Sequence, residues 1–215
     1  MKIKMYILLA GIAVYAYACQ KEMDKTDENA TDTEGTDDTD STNSSNTITG
    51  TWKFVSIEAQ TQSISEITVG NTTQKLAVFL NYTTTDNSGT IVINDSAMNC
   101  SAIAYKISSE IKTYRYKNDV VTDSLTLPYI VTFPATDSYT PYTLIGTDSI
   151  FFRKGGFTNI SAARFKVNPS AAQIQLKDSV LSFIQPLTKD TTESIEGIDY
   201  HTIVTGTAIL TLNRQ

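Results

Sequence analysis

From Ile203 to Arg214 the chain alternates two kinds of side chain without a break: Val204, Gly206, Ala208, Leu210, Leu212 and Arg214 fall on one side, and Ile203, Thr205, Thr207, Ile209, Thr211 and Asn213 on the other. A period of two is the geometry of a strand, whose successive side chains point to opposite faces. Lys112-Thr113-Tyr114-Arg115-Tyr116-Lys117 repeats the pattern, its two tyrosines on one face. Trp52–Glu58, Lys75–Thr83, Thr90–Asn94, Ala102–Ser108, Leu125–Phe133, Tyr142–Arg153, Arg164–Val167, Gln173–Lys177 and Val180–Gln185 read the same way. About ten short strands result, separated by turn signals such as Asp86-Asn87-Ser88-Gly89, Gly155-Gly156 and Asn168-Pro169. No long stretch keeps a helical period. The pattern predicts one all-β antiparallel domain over residues 48 to 215, a single up-and-down β-barrel or a β-sandwich of the same rhythm. A domain of that length buries well over half of its unfolded surface and needs no disulfide. Gln60–Asn71 fits a wide loop, a short helix or an extra strand.

Before residue 48 the composition changes. Residues 20 to 47 hold nine acids against Lys21 and Lys25, a net charge of −7, with no aromatic residue and many Thr and Ser. Such a segment cannot bury enough apolar area to offset its ordering entropy, so a disordered tether is expected. A flexible chain of that length reaches roughly 30 Å. Of the total charge of −6, only −1 is left for residues 48 to 215. That balance argues against nucleic acid as a partner, because phosphate binding rests on Lys and Arg. Asp32 to Asp40 lacks the alternation and the terminal Glu of an EF-hand calcium loop.

Met1–Lys4 is a short basic region, Met5–Ala18 an uncharged and mostly apolar run ending in Ala16-Tyr17-Ala18, and Cys19 follows. The run is shorter than the roughly 20 residues of a membrane span, and its small-residue end reads as the cleavage site of a signal peptide over residues 1 to 18. A cysteine directly after that site resembles the lipobox of bacterial lipoproteins, which implies acylation of Cys19. The alternative is ordinary secretion with a free thiol. Gln20-Lys21-Glu22-Met23-Asp24 resembles the signal that sends lipoproteins of the Bacteroidota type to the outer face of the outer membrane. The address implied is a lipid-anchored, surface-exposed outer-membrane protein, its membrane contact made by the anchor.

Gly50-Thr51-Trp52 opens the first strand, and Leu210-Thr211-Leu212-Asn213-Arg214 closes the last. The pair resembles the lipocalin-like lipoproteins of the Bacteroidota, in which a Gly-x-Trp motif plugs the closed end of a barrel and a terminal basic residue covers the indole. The resemblance implies structural roles for Gly50, Trp52 and Arg214, a barrel mouth for a small hydrophobic or amphipathic ligand, and no enzymatic activity. Gly146-Thr147-Asp148-Ser149-Ile150 and Leu176–Phe183 are similar to that group's late hairpins. Phe79, Tyr82, Tyr105, Tyr114 and Tyr116 suit either a ligand lining or a filled core.

Little else carries chemistry. There is no Gly-x-Ser-x-Gly elbow or Gly-rich phosphate loop, and one histidine with two cysteines falls short of a zinc site, so neither cofactor nor metal is expected. Cys100 and His201 form the only conceivable thiol dyad, with no activating context. Glu193, Glu196 and Asp199 read as a solvated loop before the last strand. Ser41, Ser96, Ser124, Ser149, Ser179 and Thr191 each follow an aspartate in a tripeptide that resembles the O-glycosylation acceptor of the same bacterial group, and the same pairs also make turns. A structural module that recognises a protein or glycan at the cell surface is the alternative function. The sequence specifies no oligomeric state.

Overall fold

The computed structural model describes residues 47 to 153, 170 to 195 and 198 to 215. In them one antiparallel sheet is built from β1 (Gly50–Val69), β2 (Thr72–Thr83), β3 (Thr85–Ile93), β4 (Ala97–Lys117), β5 (Val120–Ile145), β6 (Ser149–Phe152), β7 (Ser170–Lys177), β8 (Val180–Ile195) and β9 (Ile198–Arg214). The described residues are all-β, in keeping with the alternation. Each strand pairs with the next in sequence from β3 to β9, and β9 returns to β1, so the sheet closes in a ring. β2 and β3 share one position in it. Both lie between β1 and β4, β2 along one stretch and β3 along the next, so nine strands fill eight positions.

Thr84 makes the joint between them. Its N–H donates to the Ile57 carbonyl at 2.9 Å, and its hydroxyl accepts the Ile57 N–H at 2.9 Å. A buried hydroxyl thus stands in for a backbone acceptor where the ladder breaks.

The described strands are longer than the sequence suggests. Ala102–Ser108 and Lys112–Lys117 are parts of β4, Gln60–Val69 continues β1, and Tyr142–Arg153 is a hairpin bent at Gly146, whose φ is +64°. Asp86-Asn87-Ser88-Gly89 is no turn but a bulged stretch inside β3, with Asp86 at φ 53° and Gly89 at φ 115°. Bulges and tight turns both often place a residue at positive φ, so the same residue types signal either. Glu193 and Asp199 lie in paired strands, β8 and β9, rather than in a loop. Arg164–Val167, Gly155-Gly156, Asn168-Pro169 and Glu196 lie outside the described residues.

The core fills the end of the ring where β1 begins and β9 ends. Trp52, Ile91, Met98, Ile150, Phe152, Leu181, Phe183, Leu210 and Leu212 are fully buried there. Beyond it the ring opens. β6 has four residues and β7 eight, while β4, β5, β8 and β9 run on, so among the described residues Val120–Phe133 pair only with β4 and Pro186–Ile195 only with β9. What projects past the core is an open sheet in the order β5-β4-β2-β1-β9-β8. Asn118 and Asp119, at φ 49° and 65°, make the tight β4–β5 turn at its far edge.

Candidate functional site

The open sheet has two faces, and register assigns every side chain to one of them. The inner face continues the core. On β2, β4 and β5 it is mostly apolar next to the core: Leu80, Ile111 and Leu127 form one cross-strand row, and Val78, Thr113 and Leu125 the next. Leu125 and Leu127 are 42% and 38% exposed, values at odds with a filled core. On β1 and β9 the same face is small and polar, with Thr61 opposite Gly206 and Ser65 bonded to Thr202 at 3.1 Å. An apolar stripe therefore lies beside a hydroxyl stripe.

At the floor of this face, next to the core, stand Tyr82, Tyr129, Phe133 and Leu187. Phe133 lies against Tyr105 with ring centroids 4.5 Å apart, and Tyr105 meets Phe54 edge-on at 6.0 Å. Burial, and then the neighbouring Tyr129, push the Tyr82 phenol up to about 12. Burial raises Tyr129 as well. Both phenols are neutral at physiological pH and offer hydroxyls at the boundary between packed core and open face. At the far end Arg115 and Asp123 pair at 3.8 Å on the same face.

Gln185 is the polar residue that the alternation Leu181, Phe183, Gln185, Leu187 already places inside. It is fully buried, its Nε2 donates to Ser170 Oγ at 2.7 Å, and its carbonyl oxygen has no partner among the described residues. Tyr82 and Tyr129 are legible as strand residues, but their approach to each other is not, since β2 and β5 are joined only through β4.

The outer face holds a second group of aromatics. Phe79 and Tyr114 meet edge-on at 5.7 Å, and Tyr116 lies in the same series, opposite Lys75. Of the five candidate lining residues, only Tyr82 and Tyr105 therefore face inward. The phase of β2 and β4 decides this, and their alternation is equally regular on both faces.

Trp52 is fully buried and donates from Nε1 to the Ile48 carbonyl at 2.9 Å. The Arg214 guanidinium stands over its ring, 4.8 Å from the centroid, and its Nη2 donates to the Thr47 carbonyl at 2.6 Å. Trp52 and Arg214 are cross-strand partners in the β1–β9 ladder, which is why residues 162 apart in sequence meet. Gly50 has φ +134°, a backbone conformation that favours glycine.

Cys100 faces the core and is buried, with its thiol pKa raised by burial and drawn back in part by Ser138. His201 lies on the outer face of the open sheet, paired with Glu66 and Thr192, and its Nε2 sits 2.8 Å from Asp190 Oδ1. The two face opposite ways and form no dyad. Among the described residues no group of His, Cys, Asp or Glu is arranged to hold a metal. Ser96 and Ser179 occupy exposed turns, Ser124 is exposed on β5, and Ser149 and Thr191 are half-buried at the start of β6 and on β8. Cys19 and Ser41 lie outside the described residues.

No family model matches this chain, and neither a curated protein nor a solved structure is significantly similar to it.

Proposed function

We propose that the chain is an exported lipoprotein, acylated at Cys19 and held at the outer-membrane surface by its acidic tether. Its domain from Ile48 to Gln215 is a lipocalin-like β-barrel that binds a small amphipathic molecule without catalysis. The leader pattern Met1–Cys19 supports the address, and the Gly50-x-Trp52 motif under Arg214 supports the family likeness.

One observation carries the binding function: an inner face whose leucines stay partly exposed beside a stripe of hydroxyls. A ligand with an apolar body would cover Leu80, Leu125 and Leu127, gaining about 25 cal/mol for each Å² of apolar surface removed from water. Its polar edge would meet Thr61, Ser65 and Thr202, so that no hydroxyl loses water without a partner. Concave apolar surfaces with a few fixed polar groups are the usual form of small-molecule sites.

The test is titration of the full chain with a fluorescent polyene fatty acid. Wild type is expected to bind it, and Leu127→Asp, which puts a charge on an exposed point of the inner face, to weaken binding at least about tenfold, or 1.4 kcal/mol. Equal binding by both proteins would remove this reading. The alternative, a surface module recognising a protein or glycan, is favoured by the aromatics on the outer face.

A further inference from the structure

We propose that the outer face carries a carbohydrate-binding recess where β2 and β4 part. The β2–β4 ladder ends at Leu80 opposite Ile111, and β3 takes up pairing with β4 only at Thr85 opposite Lys106. Between these points lies a half-open recess of about 320 Å³, lined by Phe79, Asn81, Glu110 and Lys112 on the outer face and, through the parting, by Ser109, which lies opposite Tyr129 in the inner series. That volume is at the small end of the range for ligand sites.

The recess is built rather than incidental. Tyr114 meets Phe79 edge-on, with an interplanar angle of 83°, and so fixes the orientation of the Phe79 ring. The Ser109 hydroxyl donates to the Asn81 carbonyl across the parting and ties its two sides together. Asn81, Glu110 and Lys112 are exposed at the rim.

The chemistry selects the class of ligand. A pyranose ring presents a face of C–H groups carrying partial positive charge, which suits the negative face of an aromatic ring. Its edge is a belt of hydroxyls, each both donor and acceptor. Asn81 offers a donor and an acceptor, Glu110 accepts, and Lys112 donates, so the rim satisfies such a belt in both senses. Glu110 and Lys112 cancel in charge, which favours a neutral ligand over an anion or a cation. A wholly apolar ligand would strip water from both charges without replacing it. An added peptide strand would need a long free edge, but the ladder is closed on either side of the gap. A sugar satisfies all of these conditions.

The site lies on the opposite face from the leucine stripe, so its fate is separable from that of the acyl-binding reading. The experiment is a glycan array of neutral and acidic saccharides probed with the full chain, with hits titrated in solution by ligand-observed saturation-transfer NMR. Wild type and Phe79→Trp are expected to bind a neutral saccharide, and Phe79→Ala to lose at least tenfold. Because Phe79 touches Tyr114, the exposed variants Lys112→Ala and Glu110→Gln provide a second measure that spares the fold, each expected to weaken binding severalfold. Leu127→Asp on the inner face is expected to leave saccharide binding unchanged whether or not it loses fatty-acid binding. An array without hits for the wild-type chain overturns the proposal, as does binding that survives both Phe79→Ala and Lys112→Ala.

Discussion

Tyr82 shows at the level of one residue how the boundary between core and open face is set. Its phenol, pushed up to about 12 by burial and by Tyr129, stays protonated in the fold at pH values where a free tyrosine ionises. Below about pH 10 neither state releases the proton, and the favourable burial is fully present. Between about 10 and 12 the unfolded chain loses it and the fold does not, so stability falls as pH rises through that window, by about 2 kcal/mol for this half-buried group. Tyr82→Phe should therefore move the alkaline unfolding midpoint to higher pH, as followed by circular dichroism. An unmoved midpoint would show that Tyr82 is not the group that titrates. Single residues differ widely in how readable they are. Trp52 and Arg214 announce themselves by type and by position at the two ends of the domain, whereas nothing near Phe79 in sequence marks it as the floor of an outer recess.

At the level of the elements, Thr84 holds two strands in one position of the ring. Removing its hydroxyl leaves the Ile57 N–H buried without an acceptor, a loss of about 1 to 3 kcal/mol. Thr84→Val should lower the urea midpoint accordingly, with Thr84→Ser retaining most of the stability, and equal midpoints for Val and wild type would show that the joint does not depend on this bond. The same joint explains why element boundaries read poorly from the chain. Thr85, Asp86, Asn87, Ser88 and Gly89 are the residues of a turn, but here they bulge a strand that keeps running beside β4. Gln60–Val69, mixed in polarity, is strand because β2 and β9 flank it on both sides, a circumstance its own residues do not encode.

For the whole molecule the decisive junction is β1 with β9, which joins the first strand to the last. Gly206 sits in it opposite Thr61, where a Cβ would stand 2.2 Å from the Gln60 carbonyl oxygen and 3.0 Å from Thr61 Cα. No side chain fits without moving the strands apart. Gly206→Ala should cost at least about 2 to 3 kcal/mol, with amide hydrogen exchange quickening first along β1 and β9. Stability within about 0.5 kcal/mol of wild type would mean that the ring tolerates opening at this point. The contact spans most of the domain in sequence, so its closure entropy is large and it is expected to form late in folding.

Alternation determined that the described residues are strand, because a period of two gathers Leu210, Leu212, Phe183 and Ile91 on buried faces, and the short turns between the runs determined that neighbouring strands run antiparallel. Residue type separates an acidic stretch from the nearly neutral one that follows it, and the alternation of Leu181, Phe183 and Gln185 puts the Gln185 amide on the same side as its apolar neighbours. What only the tertiary structure decided is which face of β2 and β4 looks inward, how far the ring closes, and where it parts. Those depend on pairing between strands distant in sequence. A one-residue change of phase would exchange Leu80 with Phe79, turning the leucine stripe outward and the recess inward, and each strand's own pattern is compatible with either.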